Sequence, residues 1–240
     1  LHGTDGPLRV SDIPFRHPLS LAFVKAGQET GLAYNDDFNG AQQSGVGFYQ
    51  TTTFDGQRGS TAATYLAAVL GNPLLEVITD AHLLKLLNDD TGITGVQYST
   101  KAGTITVSAK REVIMTAGAL ATPKILQLSG IGPGQQLQSL GIPVLRDLGG
   151  VGNNYQDHLE VSIYGRARHP ISLFGHDKGL KALRHGLQWK MFRAGLLTSN
   201  VVESGGFVDT LGSGRVDVQF HVIPTLVGDV DRAPLEGHGV

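Results

Sequence analysis

The chain has 240 residues, 40% of them hydrophobic and 17% charged, with a formal net charge of −2. That length buries a real core as one large domain or two small ones, and the near-neutral charge, without a long basic run, argues against a nucleic-acid or anionic-membrane partner. There is no cysteine, so disulfides, thiolate metal sites and cysteine nucleophiles are excluded.

No apolar run approaches the roughly 20 residues that a membrane span needs. The chain opens Leu1-His2-Gly3, with neither an initiator methionine nor a charged-then-apolar leader, and stops at Gly237-His238-Gly239-Val240. An internal piece of a longer polypeptide is therefore expected.

In chain order, His17-Pro18 opens a helical pattern with Leu19, Ala22, Phe23 and Ala26 on one face and Gly31 as the stop. Asn35 to Gly47 reads as an ordered polar loop, and Ser60 to Leu70 as a short helix capped by Ser60 or Gly59 and ended by Gly71. Leu74 to Leu87 is apolar and fits either a strand or a helix. Ile93–Ser99 and Thr104–Ala109 are β-branched runs around Lys101-Ala102-Gly103, a hairpin.

Glu112 to Thr116 has a buried-strand pattern, followed by a small-residue turn at Ala117-Gly118-Ala119. After it, Thr122-Pro123 is expected to start a helix running to about Leu128, with Thr122 as its N-cap and Pro123 as its first residue. A strand leading through such a turn into a helix N-terminus is how α/β folds bring backbone close to a phosphate or nucleotide. Gln135 to Leu140 forms another short helix closed by Gly141.

Beyond Gly152 the pattern changes to a strand over Val161–Arg168, a helical stripe of Leu180, Leu183, Leu187 and Met191, and an alternating strand through Val216, Val218, Phe220 and Val222. Strict alternation implies one wet face and so an antiparallel sheet. The first part reads as α/β and the last as α+β, with a boundary near Gly149 to Asn154.

Several chemistries are not encoded. Gly45-Val-Gly47, Gly130-Ile-Gly132 and Gly150-Val-Gly152 all fail G-x-G-x-x-G at its final position, and no P-loop is present. No nucleophile elbow surrounds Ser129, and the nine scattered histidines show no metal-ligand spacing.

The longer motifs reach further. Gly118-Ala-Leu-Ala-Thr-Pro-Lys-Ile-Leu-Gln-Leu-Ser-Gly-Ile-Gly132 closely resembles the second signature of the glucose–methanol–choline (GMC) oxidoreductases. Gly150-Val-Gly-Asn-Asn-Tyr-Gln-Asp-His158 is similar to a second family stretch, with Tyr155 in place of the usual leucine. Asn35-Asp-Asp-Phe-Asn-Gly40, Gly45-Val-Gly-Phe-Tyr-Gln50 and Arg58-Gly-Ser-Thr-Ala62 followed by Tyr65-Leu66 resemble the bacterial branch.

The resemblance implies a FAD enzyme that takes a hydride from an alcohol carbon. Its fold would be α/β plus α+β: part of a Rossmann-like FAD-binding domain interleaved with a substrate domain built on an antiparallel sheet. Residues 1–70 would belong to the substrate domain and linking helices, 71–152 to the FAD domain, and 153–240 to the substrate domain. Choline and simple aliphatic or aromatic alcohols are the implied substrates, with a quinone, a respiratory carrier or oxygen as electron acceptor. The implied location is cytoplasmic, at most peripheral to the inner membrane. A hydroxynitrile lyase of the same fold is one alternative, and a fragment that binds nothing is another.

Carried over residue by residue, the resemblance places Ala117 and Gly118 close to FAD. Leu83, ending Thr79-Asp-Ala-His-Leu83, would offer its backbone to the adenine; as a side chain it reads equally as core. Glu160 stands where the choline-oxidising branch has the partner of a trimethylammonium group, and it reads equally as a solvent-facing residue at a strand start. Ser129 is expected to cap or turn the chain, and Asp157-His158 to make structural hydrogen bonds. His221, on the polar side of its strand, is expected to be solvated. No residue present matches the family's catalytic histidine, so none is assigned as the general base.

Overall fold

The first helix begins where the sequence places it. His17 Nδ1 accepts the Leu19 backbone N–H at 3.2 Å and Pro18 is the first helical residue, while Gly31, at φ +97°, ends it.

The computed structural model describes residues 2–228 and 235–240. In chain order these form α1 (Pro18–Glu29), β1 (Gly45–Phe48), β2 (Thr53–Phe54), β3 (Gln57–Arg58), β4 (His82–Asp89), β5 (Gly92–Thr100), β6 (Gly103–Ser108) and α2 (Gly118–Leu128). There follow β7 (Ile131–Gly132), α3 (Gly134–Ser139), β8 (Arg146–Asp147), α4 (Gly179–Phe192), β9 (Ser204–Val208) and β10 (Val218–Val222). The chain divides into two units, Leu1–Leu75 with Ser162–Val240, and Glu76–Val161. No described helix is long and apolar enough to cross a membrane.

The first unit is built on an antiparallel sheet in the order β1-β9-β10. Its core gathers Ile13, Val24, Val46 and Phe48, with Phe23 and Leu32 packed against them. The face that α1 buries is Ser20 and Val24, not the larger residues on the neighbouring stripe. Gly27 explains the difference: a Cβ there would lie 2.9 Å from Val46 Cγ2, so glycine lets the helix lie close to β1.

The polar loop before β1 is a chain of local hydrogen bonds. Asn35 Nδ2 donates to the Gln42 and Ser44 carbonyls at 2.8 and 3.1 Å, and its Oδ1 accepts the Asp37 N–H at 2.9 Å. Phe38 from the loop packs on Tyr49 and Phe207 with ring centres 5.3 and 5.1 Å apart.

Glu203 is fully buried beside this core. Its carboxylate accepts the His17 backbone N–H at 2.5 Å and the Ser199 hydroxyl at 2.6 Å.

The helix expected over residues 60–70 contracts to a single π-turn at Ala62–Leu66, although the Ser60 hydroxyl does accept the Ala63 N–H at 3.1 Å. Helix α4 forms where its leucines recur, but it ends at Arg193 in the left-handed conformation, before Gly195. The strand expected over 161–168 reduces to a ladder in which Gly165 and Ala167 pair with Val240 and His238. The alternating strand is present as β10, antiparallel to β9.

In the second unit, β4-β5-β6 is an antiparallel meander. The hairpin around Lys101-Ala102-Gly103 forms as expected, and Leu74–Leu87 resolves into irregular chain followed by β4. Residues 112–116 are not a strand, and Ile114 is 76% exposed. An apolar run becomes a strand only when a neighbour takes its N–H and C=O groups, and none of the described strands pairs with this one.

Candidate functional site

The four residues singled out by sequence all lie in the Glu76–Val161 unit. Ala117 and Gly118 form the start of α2. The helix begins at Gly118, with Ala117 as N-cap, and Pro123 sits inside it. That corrects the expectation of a start at Thr122-Pro123. Gly118, at φ +85°, turns the chain well before Thr122, and Ala119-Leu120-Ala121 are strong helix formers.

Pro123 then sits past the first turn and leaves one carbonyl without its ladder partner. No side chain caps this N-terminus, both Ala117 and Gly118 are exposed, and nothing lies within 4 Å of where a Gly118 Cβ would stand.

The opposite end of α2 is pinned to the sheet. Ser129 Oγ donates to the Ile125 carbonyl at 2.6 Å and accepts the Leu86 N–H at 2.8 Å. Leu86 and Ile125 are both buried beside this bond. Ser129 is thus a structural hinge pin, as the sequence suggests, with no base presented to it. Leu83 lies three residues before Leu86 on the same strand, half-buried, opposite Tyr98 and beside a bulge between Leu83 and Lys85. Because β4 is at the edge of its sheet, one side of its backbone is not used by β5.

The second glycine-rich motif lies across the same helix. Gln127 Nε2 donates to the Val151 carbonyl at 3.0 Å. Gly152, at φ +82°, approaches so closely that a Cβ there would be 2.6 Å from Gln127 Nε2. Gly130 is equally constrained: at φ +81° its carbonyl accepts from Leu145 and Arg146 at 2.8 and 3.0 Å, bringing β7 parallel to β8. Asp147 Oδ1 accepts the Gly134 N–H at 2.8 Å at the start of α3. Gln127 is the residue that motif reading missed; its place between Pro123 and Gly130 on one helix face is the signal that could have found it.

Asp157 accepts the His158 backbone N–H at 2.8 Å and the Tyr155 hydroxyl at 3.0 Å. These bonds, the backbone one foremost, hold its carboxyl below the usual range. Glu160 stands exposed in irregular chain rather than at a strand start, between Leu159 and Val161, which are also exposed. His221, in the other unit, is exposed with its ring edge-on to Tyr49 at 5.6 Å. Among the described residues no group of three His, Cys, Asp or Glu could hold a metal.

The edge of β4, the uncapped start of α2 and the Gly152 turn locked on that helix all belong to the Glu76–Val161 unit. Residues 2–160 match the family described as GMC oxidoreductase, and the chain belongs to that family. It is 43% identical over 245 residues to the alcohol dehydrogenase [acceptor] of Pseudomonas putida, covering 99% of this chain and 44% of that protein. It is 39% identical over 241 residues to the oxygen-dependent choline dehydrogenase of Burkholderia pseudomallei, covering 99% of this chain and 43% of that protein. The chain thus spans less than half the length of these relatives.

Among solved structures, a formate oxidase of Aspergillus oryzae studied for FAD modification superposes with a TM-score of 0.75 at 27% identity, over 85% of this chain and 36% of that one. Pyridoxine 4-oxidase from Mesorbium loti gives 0.72 at 26%, over 90% and 38%. The fold class expected from sequence, α/β plus α+β, agrees with these neighbours, and the structure itself is mixed helix and sheet with antiparallel sheets.

Proposed function

We propose that the protein containing this chain oxidises the CH–OH group of a primary alcohol to the aldehyde with FAD as cofactor, and that residues 76–161 supply part of its FAD-binding face. The start of α2 carries this reading. An eleven-residue helix opens on Gly118 with no side-chain cap and clear space on its outer side. Free N–H groups at the positive end of a helix favour an anionic or strongly polar partner, and a side chain at 118 would take the room it needs. Leu83 would offer backbone N–H and C=O on the free edge of β4 to a planar base. When bound, FAD supplies the hydride acceptor.

Glu160 is proposed to face the substrate and to favour a cationic alcohol such as choline. A carboxylate about 4 Å from a quaternary ammonium gains roughly 4 kcal/mol at an effective dielectric near 20, much of it offset by desolvation. The names of the relatives support either a separate carrier or oxygen as electron acceptor. We favour a respiratory carrier, which would place the enzyme in the cytoplasm at the inner membrane.

The test uses the complete gene product without oxygen. Primary alcohols are added and the flavin absorbance is followed; bleaching supports the reading, and a flavin that no primary alcohol bleaches overturns it. Glu160→Gln then tests the substrate: the kcat/KM ratio of choline to a neutral alcohol of similar size should fall about tenfold, equivalent to about 1.4 kcal/mol. An unchanged ratio returns Glu160 to the surface.

A further inference from the structure

Helix α4 turns its apolar stripe outward and its polar side chains inward. Leu180, Leu183, Leu187 and Met191 are exposed, Leu180 to 84%, whereas His185, Gln188 and Trp189 are half-buried. Trp189 donates its indole N–H to the Gly56 carbonyl at 2.7 Å, and the Arg193 guanidinium lies 4.1 Å from the indole centre. One turn earlier, His185 Nε2 is 3.0 Å from His176 Nδ1, with the two rings stacked at 5.3 Å and 21°. The attachment of α4 rests on these polar anchors rather than on its leucines.

The imidazole pair tolerates protons poorly. When both rings are neutral, one N–H donates to the other ring's lone pair. His185 Nδ1 is buried and has no hydrogen-bond partner. A proton on His185 therefore puts a buried N–H where nothing accepts it. A proton on His176 Nδ1 either meets the N–H of His185 or forces that ring into the tautomer with the same orphaned N–H. With both rings charged, two cations face each other across one hydrogen-bond distance.

The surroundings do not compensate. Lys181 and His185 on α4, and His238 on the C-terminal segment, all act on His176 as cations or potential cations. His238 Nδ1 bonds the Ser172 hydroxyl at 2.9 Å. His17, which feels His176, has Glu203 as its own counter-charge. Asp177, next in the chain to His176, and Arg184, next to His185, are exposed.

We propose that the His176–His185 pair is an acid-sensitive latch: neutral, it fixes α4 to the segment before it, and protonated, it releases the helix and moves Trp189 into water. The direction of titration agrees. Burial first, and Lys181 next, hold the His176 imidazole below its ordinary value of 6.5. The folded chain thus takes up this proton at lower pH than the unfolded one. The attachment is whole above 6.5 and is lost as pH falls through the interval beneath it.

Trp189 is the only tryptophan of this chain, so tryptophan emission, excited beyond the tyrosine band, reports on α4. The chain is titrated from about pH 8 to about pH 5 with emission and far-ultraviolet circular dichroism recorded together. The latch predicts a red-shift step below 6.5 without loss of secondary structure. His185→Phe, which keeps the stacked ring, and His176→Gln should each abolish the step. No step in the wild type, a step accompanied by global unfolding, or an unchanged step in either variant overturns the proposal. If a variant fails to fold, the wild-type His176 imidazole resonance decides: it must titrate together with the Trp189 indole N–H signal, and a His176 titration that leaves that signal unmoved also overturns the latch.

Discussion

Gln127 donates its side-chain N–H to the Val151 carbonyl, so the two glycine-rich signatures of this chain meet on one face of α2. Gly152 completes the contact by leaving no room between the turn and the amide. The pair joins the two motifs through residues that lie 24 positions apart in sequence.

Gln127→Ala should destabilise the chain by about 1 kcal/mol through the lost hydrogen bond. For a chain of this size that lowers Tm by about 2–4 °C. Gly152→Ala should cost more, because a left-handed alanine adds roughly 1–2 kcal/mol to the clash with Gln127. Truncating Gln127 removes the clash, so the double variant should lose less than the sum of the single losses. Strict additivity in thermal melts would contradict the contact.

Ser129→Ala leaves the Leu86 N–H buried without its acceptor, a loss of about 1–3 kcal/mol. Its local signature is faster amide hydrogen exchange at Leu86, with exchange in the β5–β6 hairpin unaffected. Unchanged protection at Leu86 would show that Ser129 does not pin α2 to β4.

Both results bear on how much the sequence disclosed. Local signals were legible: the His17-Pro18 helix start, the Lys101–Gly103 hairpin and the Gly141 helix stop depend on near neighbours, and the structure places them so. The strands expected at 112–116 and 161–168 depend on long-range partners, which no local pattern records, and they did not form as expected. At the candidate site, the motif fixed the turn at Ala117-Gly118 but not the helix start, because the conformational freedom of Gly118 outweighed the usual place of proline at the first turn. Gln127 was missed because its helix-face position does not name its partner, Val151, which is distant in sequence.

Acid should weaken the start of α1. Burial is the largest influence on His17 and lowers its imidazole below 6.5, Glu203 opposing and His176 assisting. A lowered histidine takes up fewer protons folded than unfolded, so its share of stability is intact above 6.5 and falls as pH drops below that value. His17→Asn keeps a capping side chain and removes the titration. It should flatten the dependence of Tm on pH in this interval, and an unchanged slope would rule His17 out as its source.

The most direct test of the account is the flavin-to-protein ratio of the complete gene product, compared between the wild type and Gly118→Val by absorbance after gel filtration, with circular dichroism confirming that both are folded. The account predicts near-stoichiometric flavin in the wild type and loss of most of it in the variant, because valine is strained at the positive φ of Gly118 and would fill the open space before α2 that the cofactor needs. A folded Gly118→Val protein that keeps its full complement of flavin would contradict the assignment of this helix start to the cofactor.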